Sequence, residues 1–271
     1  MGIKYGCHGY TWQMSYEEFK GDILHILDII QEGGFKGIDT QVVMLGKYYD
    51  KPDLFKKELE KRQLQLPALT LPLKWRYSKE TNEERNLVDH FISYIKKFPN
   101  PLLNIVPTPE SDRSNLKERQ KNILSCANEV AKRATSQGVS VSLHPNSSPG
   151  SVFKVKEDYK VMFDGMNTDL IGYTPDAGHI AKGGMDVYEI FEQYREFIKH
   201  IHFKDIDSNN HWAAMGDGII DFEKIVNYLN QTNYTNWIMV EEESKKAEKD
   251  PDNAMRKNSK YVKRNLINPY L

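Results

Sequence analysis

Eight times in succession, a short apolar or β-rich run is followed by a longer stretch with helical spacing. No other feature constrains the fold as tightly. The short runs are IKYGC (3–7), KGIDTQVV (36–43), LQLPALTL (64–71), PLLNIV (101–106), VSVSL (139–143), LIGYT (170–174), HIHFKDI (200–206) and WIMVEE (237–242). Helical candidates follow at about 16–32, 52–62, 80–97, 113–137, 153–165, 185–197, 221–231 and 252–266. In the first of these, Phe19, Ile23, Ile26, Leu27 and Ile30 recur at three- and four-residue steps, which is one face of a helix. Ser15, ahead of Glu17 and Glu18, is placed as its N-cap. Gly33-Gly34 stops it, and Gly138 separates the fourth helix from the fifth strand.

Strand–helix alternation implies a parallel sheet. Eight such units in 271 residues predict an α/β fold, a (β/α)8 TIM barrel, as a single domain over residues 1–271. A doubly wound open sheet is the runner-up, but no G-x-G-x-x-G follows the first run. The charged stretch ESKKAEKDPDNAMRKNSK reads as a solvated loop and helix face.

Lys plus Arg number 37 and Asp plus Glu 38, for a net charge of −1. That balance gives no electrostatic reason to expect a nucleic-acid partner. Two cysteines, Cys7 and Cys126, are too few for a disulfide framework or a cysteine-rich zinc site. The opening MGIKYGCHGYTW has no apolar core of signal-peptide length, and no run reaches the roughly 18–20 apolar residues of a membrane span. A cytoplasmic protein without a membrane partner is the expectation.

A barrel of this kind does its chemistry at the C-terminal ends of its strands. Those strands should be almost wholly apolar, so polar residues at their ends ask for a reason. The first run ends at Cys7 and His8, with Tyr10 and Trp12 beyond; the second carries Asp39 and Gln41. The fifth ends in His144-Pro145-Asn146, and the sixth leads to Asp176, with His179 three residues on. The seventh carries His200, His202 and Lys204, and the eighth Glu241 and Glu243, each set on one face because strand side chains alternate. Mixed His, Asp and Glu donors suit a divalent ion with open positions for water or substrate. Asp176, His202 and Glu241 come from three adjacent strands and are the predicted ligands, with His144 the natural fourth. Plainer roles compete. Asp176 can simply cap a following helix. His200, deeper in its strand, reads as a hydrogen-bonded core histidine, Glu242 as structural and Cys7 as a small buried residue. A structural account must explain four strand ends at once.

Four motifs carry a resemblance: PDAGH (175–179), HIHFKD (200–205), GDGIIDF (216–222) and WIMVEEE (237–243). In order and spacing they resemble the xylose isomerase-like TIM barrels, the sugar phosphate isomerase/epimerase superfamily that also contains endonuclease IV. The inosose dehydratase branch is nearest in motif texture. In the first half only GFKGID (34–39) adds support, with Asp39 where family members often have Glu. The resemblance implies one divalent metal, commonly manganese, with magnesium, cobalt or zinc as alternatives. Carried over by motif, Asp176, His202 and Glu241 are ligands, His179 lies beside the metal and helps bind substrate, and Lys204 matches the lysine after the metal-binding histidine. Strand five departs from the pattern. Most isomerases and epimerases of the group have a glutamate there, whereas this chain has VSLHPNSS, with Ser142 or His144 in that place. The dehydratase branch commonly has H-x-H, and Asn146 replaces its second His. Glu243 shares the face of Glu241, one pleat nearer the mouth.

The implied chemistry is proton abstraction next to a carbonyl of a small sugar or cyclitol through a metal-stabilised enediolate. Glu243 and His144 are the candidates to move the proton, Lys204 to hold a substrate oxygen, and His179 to act as an acid. His8, Trp12, Asp39 and Asn146 are the candidates to contact substrate. Reprotonation at another carbon isomerises, reprotonation on the other face epimerises, and loss of a β-hydroxyl dehydrates. The isomerase/epimerase reading leads, and a keto-inositol dehydratase is the alternative. An abasic-site endonuclease needs a richer ligand set, which Asn209 and His211 echo only weakly. A barrel without catalysis, serving as a binding subunit, is the remaining class. Homo-oligomers are common in the superfamily. Among the aromatics, Trp12 stands nearest a strand end, while Trp75 and Tyr77 read as packing residues and Trp212 as a further wall.

Overall fold

The computed structural model describes residues 2–267. Its strands are β1 (Lys4–His8), β2 (Gly37–Gln41), β3 (Gln65–Leu73), β4 (Leu102–Pro107), β5 (Ser140–Leu143), β6 (Ile171–Tyr173), β7 (Ile201–Phe203), β8 (Asp205–Ile206), β9 (Trp212–Ala213) and β10 (Trp237–Val240). The chain gathers into two compact units, Met1–Pro67 with His200–Leu271, and Ala68–Lys199. Among the described residues no helix is long and apolar enough to cross a membrane.

In the first unit four parallel strands run in the order β2-β1-β10-β7. The register sets Cys7 beside Val240, His8 beside Asp39, and His202 beside Met239. Alternation does the rest: Ile201 and Phe203 bury toward one face of β7, which turns His200, His202 and Lys204 to the other. The helix Ile23–Glu32 covers the apolar face with Ile23, Ile26, Leu27 and Ile30. It is shorter than the expected 16–32. Gly21 takes a left-handed φ of +82° and separates it from the short turn of helix Tyr16–Phe19. Ser15 precedes that turn without capping it; its hydroxyl donates to the Glu248 carbonyl instead (2.7 Å). The C-terminal helix Pro251–Tyr261 ends in a wider π turn over Val262–Ile267. Its Asp252 accepts from Trp12 Nε1 (2.8 Å) and contacts His25 Nε2 (2.8 Å). The charged stretch that runs into this helix is more than a solvated face, because Ala247, Met255, Asn258 and Ser259 are buried.

The second unit carries the parallel order β3-β4-β5-β6. The helices Asn82–Ile95 and Leu116–Thr135 bury Phe91, Ile92, Ile95, Ala127, Val130 and Ala131. Thr81 closes the first of these with a capping box to Glu84. The other face of the strands is polar but paired: Asn104 donates to Thr70 Oγ1 (3.2 Å), Ser142 to Asn104 Oδ1 (3.1 Å) and Thr174 to Ser142 Oγ (2.7 Å). Ser142 is thereby committed to the interior, and His144 lies beyond the end of β5.

Candidate metal centre and polar site

In the first unit a buried cluster forms where β1, β2, β7 and β10 end. Asp39, His200, His202, Lys204, Glu241 and His8 are each 4% exposed or less. Asp39 Oδ2 lies 3.0 Å from His200 Nε2 and 2.9 Å from His202 Nε2. Burial pushes the Asp39 pKa up, but the His8 charge and the hydrogen bonds from His200 and His202 outweigh it and hold the carboxyl well below the usual range. A carboxylate only accepts, so both rings carry their proton on Nε2. For His202 that turns the Nδ1 lone pair toward Glu241 Oε2, 3.7 Å away.

His8 meets the same oxygen. Its Nδ1 lies 3.1 Å from Glu241 Oε2 and also accepts from the Tyr10 amide at 3.1 Å. A proton on Nδ1 satisfies the carboxylate and opposes the amide, and a lone pair does the reverse. Burial lowers the His8 pKa, yet Glu241 and Asp39 outweigh it and hold it above the ordinary histidine value. His8 Nε2 is buried without a hydrogen-bond partner. Donor atoms of His8, His202 and Glu241 all lie within 4.8 Å of one another. Two imidazoles and a carboxylate fit a divalent transition ion, and a cation beside Glu241 resolves the conflict at His8 Nδ1. The residues present therefore fit the metal that the family resemblance implies.

Beside this group Lys204 bridges two carboxylates. Its Nζ is 2.9 Å from Glu241 Oε1 and bonds Glu243 Oε1, and it lies 4.8 Å from the centre of the Trp212 ring. Burial raises the Glu241 pKa, but Lys204, His8 and His202 more than offset this and hold it well below the usual range. Glu243 goes the other way: burial and the Glu241 charge outweigh Lys204 and raise it to about 7. Burial together with Glu243 and Glu241 also raises the Tyr10 hydroxyl.

The second unit holds the remaining candidates. Asp176 is 1% exposed, and its Oδ1 accepts from the His179 amide (2.9 Å), capping the helix Ala177–Lys182. That helix begins directly after Asp176 and well before the expected one near Met185. Asp176 Oδ2 lies 3.7 Å from His144 Nε2. His179 Nδ1 accepts from the Ser147 amide (3.3 Å) and meets Ser147 Oγ at 2.8 Å, so the ring proton is on Nε2. Asn146 is tied to the end of β4 and to its own loop, donating to the Pro107 carbonyl (3.0 Å) and accepting from Ser151 Oγ.

The structure thus brings His8, Asp39, His202, Lys204, Glu241 and Glu243 together within one unit, and His144, Asn146, Asp176 and His179 within the other. Trp12 is fully buried with its indole N–H on Asp252, as is Trp75, whereas Tyr77 is 67% exposed. Two residues carry more of the site than their motifs disclosed. His200 shares the Asp39 oxygen with His202, which the H-x-H spacing on one strand face could have indicated. Asp205 is fully buried and accepts four backbone N–H groups, from Ile206 (2.9 Å), Gly216 (3.0 Å), Gly218 (3.1 Å) and Ile220 (3.3 Å). It fixes the loop that carries Trp212.

Residues 27–265 match the family described as xylose isomerase-like TIM barrel. An inosose dehydratase of Clostridium perfringens (strain 13 / Type A) is 24% identical over 259 residues, covering 85% of each chain. Among solved structures, the IolI protein with a binding zinc atom is similar with a TM-score of 0.78 at 15% identity, covering 99% of both chains. The apo form of the 3-keto-D-glucoside 4-epimerase YcjR from E. coli gives a TM-score of 0.75 at 15% identity, covering 96% of this chain and 99% of that one. These likenesses show the fold to be the α/β TIM barrel that the strand–helix alternation predicts.

Proposed function

Because this chain belongs to the xylose isomerase-like TIM barrel family, a family of enzymes, we propose that it is a divalent-metal-dependent isomerase or epimerase of a small sugar or cyclitol. One observation carries the reading. A buried group turns His202 Nδ1 and Glu241 Oε2 toward each other, and next to it Lys204 and Glu243 form a pair able to exchange a proton. A bound ion would be held by His202 and Glu241, with His8 alongside. The family resemblance implies Asp176 as a further ligand and manganese as the metal, and His144, at the end of the fifth run, is the fourth donor expected from the strand ends. When bound, the ion supplies positive charge for the oxygen of a carbonyl whose neighbouring carbon is losing a proton.

The chain's own groups divide the remaining work. Glu243, with its pKa at about 7, takes and returns the proton through a carboxylate oxygen. Lys204 Nζ, held between Glu241 and Glu243, steadies the negative oxygen as the carbon is deprotonated. The Trp212 ring beside Lys204 offers a wall for a sugar ring. A second reading is dehydration of a keto-inositol or related keto-sugar. The inosose dehydratase relatives favour it, as does His179, whose Nε2–H suits it to protonate a departing hydroxyl.

The test is solvent exchange. Purified protein loaded with Mn2+ is incubated with ketoses and keto-inositols in D2O and followed by NMR. Deuterium should enter at the carbon next to the carbonyl, and His202→Ala and Glu241→Ala should lose both the metal and the exchange. Dehydration would show instead as loss of water from the product mass. A metal-loaded protein that exchanges no substrate of either class would end the proposal.

A further inference from the structure

We infer that Asp39 is a positioning residue for His202 rather than a substrate contact, and that His200 serves to pin the Asp39 carboxylate. The inference rests on the proposed metal site and deepens it. Asp39 is fully buried on β2, and its Oδ2 receives both His200 Nε2 (3.0 Å) and His202 Nε2 (2.9 Å). With two ring N–H groups on one of its oxygens, the carboxylate is committed to the histidines. It fixes which His202 nitrogen carries the proton. With Nε2–H given to Asp39, the Nδ1 lone pair faces Glu241 Oε2 at 3.7 Å. Two donors on one ion, each about 2.0–2.2 Å from it, stand roughly 3–3.5 Å apart, so this pair needs to close by only a few tenths of an ångström. A carboxylate behind a ligating histidine sets both its tautomer and its ring orientation.

His200 accounts for the rest of the arrangement. It lies two residues before His202 on the same strand face, and the two rings meet edge to face at 5.4 Å. Its N–H on the same oxygen keeps the carboxylate from swinging toward His8 Nε2, which lies 3.8 Å from the other oxygen. The three residues Asp39, His200 and His202 are close enough to hold an ion themselves. That arrangement would strip the protons from both Nε2 atoms and break both hydrogen bonds, so it is the rival outcome.

Asp39→Asn separates these roles. The amide keeps the shape of the carboxylate but can donate an N–H to His202 Nε2, which moves the ring proton to Nδ1. Metal-stripped wild type, Asp39→Asn and Asp39→Glu are titrated with Mn2+ and with Co2+, and the histidine tautomers are read by 15N NMR. Wild type should show His202 protonated at Nε2. Asp39→Asn should bind either metal about 10–100-fold more weakly, with an altered Co2+ visible spectrum, while its metal-free melting curve stays cooperative. Asp39→Glu should recover part of the affinity, and His200→Gln should lose less than Asp39→Asn. Asp39→Asn binding as tightly as wild type, or wild-type His202 protonated at Nδ1, overturns the positioning role and leaves the proposed function standing. Wild type that takes up neither metal overturns the proposed function, and the positioning role with it. Loss of both metals from His200→Gln, with Glu241→Ala unaffected, places the ion on the rival trio and likewise overturns the inference.

Discussion

Lys204 shows how much a single buried charge can matter here. It is 1% exposed and lies between the Glu241 and Glu243 carboxylates. Removing one partner of a buried ionic group costs about 3–5 kcal/mol, because the partners stay behind uncompensated. Lys204→Met should therefore lower stability by about that amount in urea denaturation. Adding Glu243→Gln should return part of it, since one stranded carboxylate is then neutral. If the double variant is no more stable than the single one, Lys204 is held by packing and not by its charges. The sequence did place Lys204 on the inward face, because H-x-H-x-K alternates. It could not show depth, since alternation tells which face a side chain takes and not how far it lies from water.

The loop after β8 is where a motif becomes a mechanical part. GDGIIDF marks the family in the sequence, and in the structure its backbone closes on Asp205. Gly216 has a left-handed φ of +82°, and a Cβ on Gly218 would stand 2.2 Å from Asp205 Oδ1 and 2.3 Å from the Ile206 carbonyl. β8 and β9 pair across this loop, with Trp212 opposite Ile206. Gly218→Ala should thus cost about 2–4 kcal/mol. Asp217→Ala, one residue earlier, loses only an exposed ion pair with Lys257 and should cost less than about 1 kcal/mol. Thermal denaturation of the two variants side by side is the check, and equal losses would mean that the loop is not anchored through Asp205. Elements of this kind were only partly legible. Seven of the eight strand runs came out within two residues, whereas the run 200–206 divides into β7 and β8, because Asp205–Ile206 pairs antiparallel with β9 and not with β10. The break at Gly21 was missed because the apolar spacing runs straight across it. The Asp39 pairings join residues 161 and 163 positions apart, and only the strand order brings them together.

For the molecule as a whole, the buried charges of the first unit link metal binding to folding. Asp39 and Glu241 are both held ionised, with His8 between them, in a place with almost no water. An ion that binds this arrangement and not the unfolded chain stabilises by the logarithm of its saturation, about 2.7 kcal/mol at one hundred times its dissociation constant. In a chain of roughly this size each kcal/mol moves the melting temperature by about 2–4 °C. Adding Mn2+ to chelator-stripped protein should therefore raise Tm by about 5–10 °C in a dose-dependent way, and removing it should reverse the shift. His202→Ala and Glu241→Ala should respond little at the same concentrations, because each removes a donor from the converging group. Asp176→Ala measures the ligand implied by resemblance and His144→Ala the fourth donor expected from the strand ends: a wild-type response in both would leave the metal to the first unit's residues alone. A response of wild-type size in His202→Ala would place the ion somewhere other than this cluster.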